Sequence, residues 1–259
     1  MDARAAFFDH VTNIRVRLTL INVNNRMRAV VHTYASTNES RSLLIVDWSF
    51  TDWFVESHSR LCAKGSWKFH DVLGLDEEHL KTITGQVAAV LLLFPRSEAE
   101  QNKKLGEETE DSTVTVIKQA AENACGTVAI FHALINNNEL IPTEPGSHLE
   151  SFVSKTSKMT PEERGKALEQ DKTLFELHES AAQEGQTKTP SRESDVQQHY
   201  VCFIHHKGHL YELDGRRVHP ISHGKTTEST LLTDAAKVIE QFVARDAGRV
   251  NFSVLALSS

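Results

Sequence analysis

From residue 124 to residue 135 the chain reads ACGTVAIFHALI, twelve residues with almost no polar break. A helix that is apolar on every side belongs in a core, so the rest of the fold must be built around this stretch. Asn123 before it is a suitable N-cap, and Asn136, Asn137 and Asn138 after it form a stop. Cys125 then falls in the first turn, where free backbone N–H groups and the positive end of the helix dipole favour a thiolate. Gly126 beside it lets another backbone approach closely. The plainer alternative is that Cys125 is a small buried hydrophobe, the usual fate of a free cysteine.

Composition narrows the class. A chain of 259 residues, 39% hydrophobic and 24% charged, can bury a sizeable core as one large domain or two small ones. The formal net charge of −7 argues against nucleic acid and anionic membrane as partners and for a basic one. The three cysteines, Cys62, Cys125 and Cys202, are odd in number and lack metal-site spacing. A reducing compartment, no disulfide framework and no metal or other cofactor are therefore expected. No apolar run approaches the ~20 residues of a membrane span. The opening MDARAAFFDH lacks a signal-peptide pattern. A cytoplasmic or nuclear monomer is the expectation.

Residues 1–66 carry few signals beyond an alternating segment at 14–21 and a short apolar run at 43–46, both compatible with strands. From Trp67 the pattern sharpens. Residues 68–72 predict a short strand, and Asp76 predicts a capped helical turn through Leu80. The run VAAVLLLF at 87–94, closed by Pro95, predicts a buried strand. The acidic stretch 98–111 predicts a solvated loop or an exposed helix. Ser147 with Glu150, and Thr160 with Pro161 and Glu163, predict two capped helices. A further helix is expected over 171–182, with Leu174, Phe175 and Leu177 inward, then a polar loop over 183–197. Residues 200–204 and 209–213 predict a hairpin turning at Lys207 and Gly208. Helical spacing of Leu231, Ala235, Val238, Ile239 and Phe242 predicts a long amphipathic helix, and residues 252–257 a last buried strand. The sum is a mixed α/β domain with a sheet between helices.

Thiol chemistry needs a thiolate, a base, an orienter for the base and donors for an oxyanion. Cys125 is the candidate nucleophile. Gln119, six residues earlier, can bring a side-chain amide to the same place. His199 opens the hairpin and Asp214 ends it, so the antiparallel register can make them neighbours. Each also has a bland role: an exposed glutamine, one of 14 histidines, and a turn aspartate before Gly215. A zinc site from His205, His206 and His209 is the competing arrangement. Strand alternation sets His206 on the opposite face from the other two, which favours exposed strand polarity instead.

The run NACGT at 123–127 with Gln119 upstream resembles the active-site signature of the ubiquitin C-terminal hydrolases, a family of cysteine proteases. GHLYELDGR at 208–216, with His199 before it, resembles that family's histidine and aspartate segment, and WKFHDVLGLD, AAVLLLFP, MTPEERGKALEQ and EGQTKTPS match elsewhere. The resemblance spans about residues 67–257, taken as the catalytic domain. It implies a papain-like fold, with a central, mostly antiparallel sheet between helices and a knotted backbone, of the short single-domain type. It implies Cys125 as nucleophile, His199 as base, Asp214 as orienter, Gln119 as oxyanion donor, and ubiquitin as partner and substrate. The loop 183–196 would cross over the site and limit the size of leaving groups. Residues 1–66 depart from the family pattern: Trp53, Val55, Glu56 and Ser57 only echo its opening aromatic-x-Pro-Leu-Glu segment. Two further readings follow from that departure: a ubiquitin-binding or sequestering protein with impaired turnover, and a hydrolase for another ubiquitin-like modifier.

Overall fold

The structure is a computed structural model; it describes residues 14–23, 26–35, 67–95, 105–121, 124–173, 198–245 and 252–259, the first two as backbone only. The elements are β1 (Ile14–Val23), β2 (Arg26–Ala35), β3 (Lys68–Asp71), α1 (Glu77–Leu80), β4 (Val87–Pro95), β5 (Glu107–Glu108), α2 (Cys125–Ile135), α3 (His148–Thr156), α4 (Pro161–Glu169), β6 (Gln198–His206), β7 (His209–Asp214), β8 (Ile221–Lys225), α5 (Leu231–Arg245) and β9 (Ser253–Ser258). β1 and β2 form a separate antiparallel pair. The other seven strands form one sheet in the order β3-β9-β4-β6-β7-β8-β5, with every ladder antiparallel.

This sheet is covered on both faces, which explains why its central strands are apolar throughout rather than alternating. Along β4, Leu91 faces a core built with Val128, Ile130, Phe131 and Leu134 of α2 and Phe152 of α3. Its neighbours Val90 and Leu92 face the opposite core, with Leu231, Ala235, Ile239 and Phe242 of α5. β6 divides in the same way: Cys202 and Ile204 toward α2, Val201 and Phe203 toward α5. Each such side chain is worth ~1.5–3 kcal/mol when fully buried, so these two layers fix where α2 sits on β6.

The helix ends follow local chemistry. Asp76 accepts the N–H groups of Glu78 and His79 and caps α1. Thr160 and Glu163 form a complete capping box, with Pro161 in the first turn of α4. At α3 the box is half made: Ser147 accepts from Glu150 N–H, but the Glu150 carboxylate takes Gly146 N–H instead. The hairpin turn has Lys207 at φ 46° and Gly208 at φ 82°, the two positive values that match strand twist in a two-residue turn.

Three expectations change, and one strand is added. The residue preceding α2 is Ala124, with no side-chain cap bond, in place of Asn123; the helix starts one residue later than a cap at Asn123 allows. The acidic stretch contains β5, because Glu107 and Glu108 pair with Ser222 and Ile221. β8 itself was not legible, its sequence ISHGK having little strand character. His206 lies directly opposite His209, so these two share a face and His205 is the odd one out. Residues directly opposite on antiparallel strands point the same way, whereas counting alternation through the turn loses the register. Of the helix expected at 171–182 only 171–173 are described, with 172–173 helical; the loop 183–197 and with it the expected knot, the run 43–46, Asn123, and Trp53 to Ser57 lie outside the described residues.

Candidate active site

Three elements converge where α2 begins. Cys125 is its first residue and is partly exposed, whereas Gly126 and Val128 after it are buried. No side chain caps this end of the helix. The His199 ring and the backbone N–H groups of Tyr200 and Gly126 lie close enough to the Cys125 sulfur to favour its anion.

His199 sits near the start of β6 and Asp214 at the end of β7. The ladder puts Asp214 opposite Val201, so His199 is two residues further along on the same face. Its Nε2 lies 2.6 Å from Asp214 Oδ1, and both side chains are almost wholly buried. With Nε2–H donated to the carboxylate, Nδ1 is the nitrogen left for Cys125. The edge of the Phe94 ring meets the imidazole at 5.8 Å and 81°. Asp214 is held in turn: Oδ1 accepts Arg216 N–H at 2.9 Å, and Oδ2 lies 3.7 Å from Arg217 Nε. Arg217 also pairs with Glu108 of β5 at 3.1 Å.

Electrostatics follow from this chain of contacts. Burial is the largest influence on His199 and disfavours its cation, but the Asp214 carboxylate and Cys125 outweigh it and raise the imidazolium to about 9. Burial likewise pushes the Cys125 thiol up; the His199 hydrogen bond and charge, with two backbone N–H groups, bring it below its ordinary value. Asp214 is held below the carboxylate range, desolvation being overcome by His199 and Arg216. These shifts favour a thiolate–imidazolium pair steadied by a buried carboxylate. Cys202 is the contrast: burial alone pushes its thiol up, in a strand with no charged partner.

Gln119 reaches the same region by its backbone. Its N–H donates to Gly215 O at 2.6 Å, beside Asp214. Gly215 is needed here, since a Cβ would stand 2.9 Å from Val128 and 3.2 Å from the Gln119 side chain. The Gln119 amide donates one N–H to Ala121 O at 2.9 Å, and its Oε1 is buried without a partner among the described residues. One amide hydrogen remains for another acceptor.

The sequence reading missed the contributions of Gly126, Tyr200, Phe94 and Arg217. Only Arg217 left a signal, as a basic residue just after the Asp-Gly turn. Among the described residues no group of three His, Cys, Asp or Glu side chains is placed to hold a metal ion. None of the described helices is long and apolar enough to cross a membrane.

The model of the ubiquitin carboxyl-terminal hydrolase family, family 1, matches residues 49–244. The chain belongs to this family. A ubiquitin carboxyl-terminal hydrolase of Aplysia californica is 46% identical over 182 residues, covering 70% of this chain and 85% of that protein. Human ubiquitin carboxyl-terminal hydrolase isozyme L1 is 43% identical over 205 residues, covering 77% of this chain and 91% of the human one. Among solved structures, the Trichinella spiralis UCH37 catalytic domain bound to ubiquitin vinyl methyl ester superposes with a TM-score of 0.63. It covers 83% of this chain and 93% of that one at 23% identity, a likeness of fold. For this member of the ubiquitin carboxyl-terminal hydrolases, the expected papain-like α/β class with an antiparallel sheet between helices holds.

Proposed function

We propose that this chain hydrolyses the bond that follows the C-terminal glycine of ubiquitin, releasing small adducts or short peptides. Cys125 is the nucleophile, His199 the general base and acid, Asp214 the orienter of His199, and Gln119 an oxyanion donor. The observation that carries this is the 2.6 Å bond between buried His199 and Asp214 where the helix that begins with Cys125 starts, in a chain of this family.

The thiolate attacks the glycine carbonyl carbon, and the developing oxyanion is met by first-turn N–H groups and the Gln119 amide. The imidazolium of His199 protonates the departing amine as the tetrahedral intermediate collapses to a thioester. His199 then takes a proton from water, which attacks the thioester and frees the ubiquitin carboxylate. Asp214 keeps Nε2 protonated throughout and stabilises the imidazolium. Water is the only co-reactant in this cycle. We assign residues 67–259 as the catalytic unit and residues 1–66 as a separate N-terminal segment. A nucleophilic thiolate suits the reducing cytoplasm or nucleus.

The test is turnover of ubiquitin carrying a fluorogenic C-terminal amide. The wild-type chain should release the fluorophore, and Cys125→Ser should abolish release while still binding ubiquitin. Release unaffected by the substitution overturns the assignment. The sequestering reading draws on the departure of residues 1–66 from the family pattern, of which residues 1–48 precede the family match. Tight ubiquitin binding with no turnover by the wild-type chain would favour it. Turnover of another modifier's C-terminal amide, and not of ubiquitin's, would favour the third reading.

A further inference from the structure

Residues 115–119, which lead to Gln119, pair with no strand of the sheet. Their backbone groups are nevertheless held one after another. Asn136 accepts Thr115 N–H at 2.7 Å and donates to Thr115 O at 2.9 Å. Arg164 donates to Val116 O at 3.1 Å. His132 Nε2 accepts Ile117 N–H at 2.9 Å, and Pro161 O accepts Lys118 N–H at 2.9 Å. Gln119 N–H ends the series on Gly215 O.

Two of these holders, His132 and Asn136, are one turn apart on α2, the helix that begins with Cys125. His132 is the deeper of the two, fully buried, and it alone holds the residue two before Gln119 by a side-chain acceptor. Its Nε2 is satisfied by a buried backbone N–H, while its Nδ1 is buried with no hydrogen-bond partner among the described residues. Accepting at Nε2 requires the neutral ring. Burial supplies this by lowering the imidazolium to about 4, against the Asp214 charge and the Ile117 and Leu213 backbone.

We propose that His132 is a positioning residue for the oxyanion site, clipping the segment that carries Gln119 to the helix that carries Cys125. Both oxyanion donors, the first-turn N–H groups and the Gln119 amide, then move as one body. Without the clip the thiolate pair stays assembled, because His199 and Asp214 come from β6 and β7, but Ile117 loses its hold on α2 and the amide can shift with it. A misplacement of about 1 Å at such a donor can cost about 100-fold. This rests on the reading of Gln119 as an oxyanion donor.

The two kinds of damage separate by reaction type. Alkylation of Cys125 by iodoacetamide needs the thiolate and no oxyanion, whereas hydrolysis of a ubiquitin C-terminal amide needs both. His132→Phe, which fills the site without an acceptor, should lower kcat by about 10- to 100-fold. KM and the alkylation rate should each stay within about threefold, well under the kcat loss expected of a misplaced donor. His132→Gln, whose amide oxygen can reach the position of Nε2, should recover most of kcat. His132→Asn, whose oxygen falls short of Ile117, should not. The Gln–Asn comparison carries the test if the phenylalanine variant fails to fold. Gln119→Ala should lose kcat in the same pattern. If Gln119→Ala keeps full activity, the oxyanion reading fails and the clip falls with it. If Gln119→Ala loses kcat while the Phe and Asn variants keep it, the clip alone is wrong. Equal losses of kcat and alkylation in the histidine variants also overturn it, since the damage then reaches the thiolate.

Discussion

His199 Nε2 and Asp214 Oδ1 are 2.6 Å apart across two antiparallel strands whose register sets Asp214 against Val201, not against His199. The two-residue offset keeps both side chains on one face and carries the imidazole to the end of the sheet, where α2 begins. Removing the carboxylate's charge while keeping its shape isolates its role. Asp214→Asn should lower kcat by about 10²- to 10⁴-fold, through loss of the correct tautomer and of imidazolium stabilisation. KM for a ubiquitin C-terminal amide should change little. Near-normal kcat in a folded variant would leave Asp214 as a turn residue only.

The pH profile of Cys125 alkylation reads the same pair. The reactive form has Cys125 ionised and His199 protonated. Reactivity should rise as Cys125 loses its proton, below the ordinary thiol value, and change again as His199 loses its own near pH 9. The two steps belong to the pair as a unit. Because Asp214, together with Cys125, lifts His199 against burial, Asp214→Asn should move the upper step to lower pH. An upper step that stays in place would show that the carboxylate does not support the imidazolium.

His132 makes a prediction about acid stability. Its folded value of about 4 lies below the ordinary 6.5, so between those values the unfolded chain binds a proton that the folded chain refuses. Stability attributable to this residue is present above pH 6.5 and falls as pH drops toward 4, by on the order of 3 kcal/mol in all. In denaturant titrations at pH 7 and pH 4.5, His132→Gln should lose less stability on acidification than the wild type. Parallel losses in the two proteins would contradict the shift.

Gly165 reverses a usual rule. Glycine inside a helix normally costs ~1 kcal/mol relative to alanine. Here a Cβ would lie 1.7 Å from the backbone oxygen of Lys118, which cannot move without displacing residues 115–119. Gly165→Ala should therefore destabilise the fold by about 1–3 kcal/mol and lower kcat as well. Thermal unfolding and ubiquitin-amide turnover measure the two effects. A stabilised variant would mean that α4 does not press on this segment.

Much of the site was legible because it rests on strong local signals. The apolar run placed Cys125 at a buried helix start, and the positive-φ turn at Lys207 and Gly208 fixed the register that joins His199 to Asp214. What escaped depends on tertiary pairing. β5 is two glutamates whose strand partner among the described residues is β8, and β8 has no apolar alternation of its own. The start of α2 after Ala124 could not be told from a cap at Asn123, because the helix lacks a side-chain cap. The direction of the Gln119 amide, toward Ala121, and the hold of His132 on Ile117 connect residues through space and leave no spacing pattern. His132 did leave one trace, as the only ring nitrogen donor or acceptor inside the apolar run.

The most direct measurement is reaction with ubiquitin vinyl methyl ester followed by peptide mapping of the adduct. The wild-type chain should gain one ubiquitin, attached through the sulfur of Cys125, and Cys125→Ser should gain none. An adduct on Cys62 or Cys202 with Cys125 free, or no adduct on the folded wild-type chain, would contradict the assignment of Cys125 as the thiol that attacks the ubiquitin C-terminus.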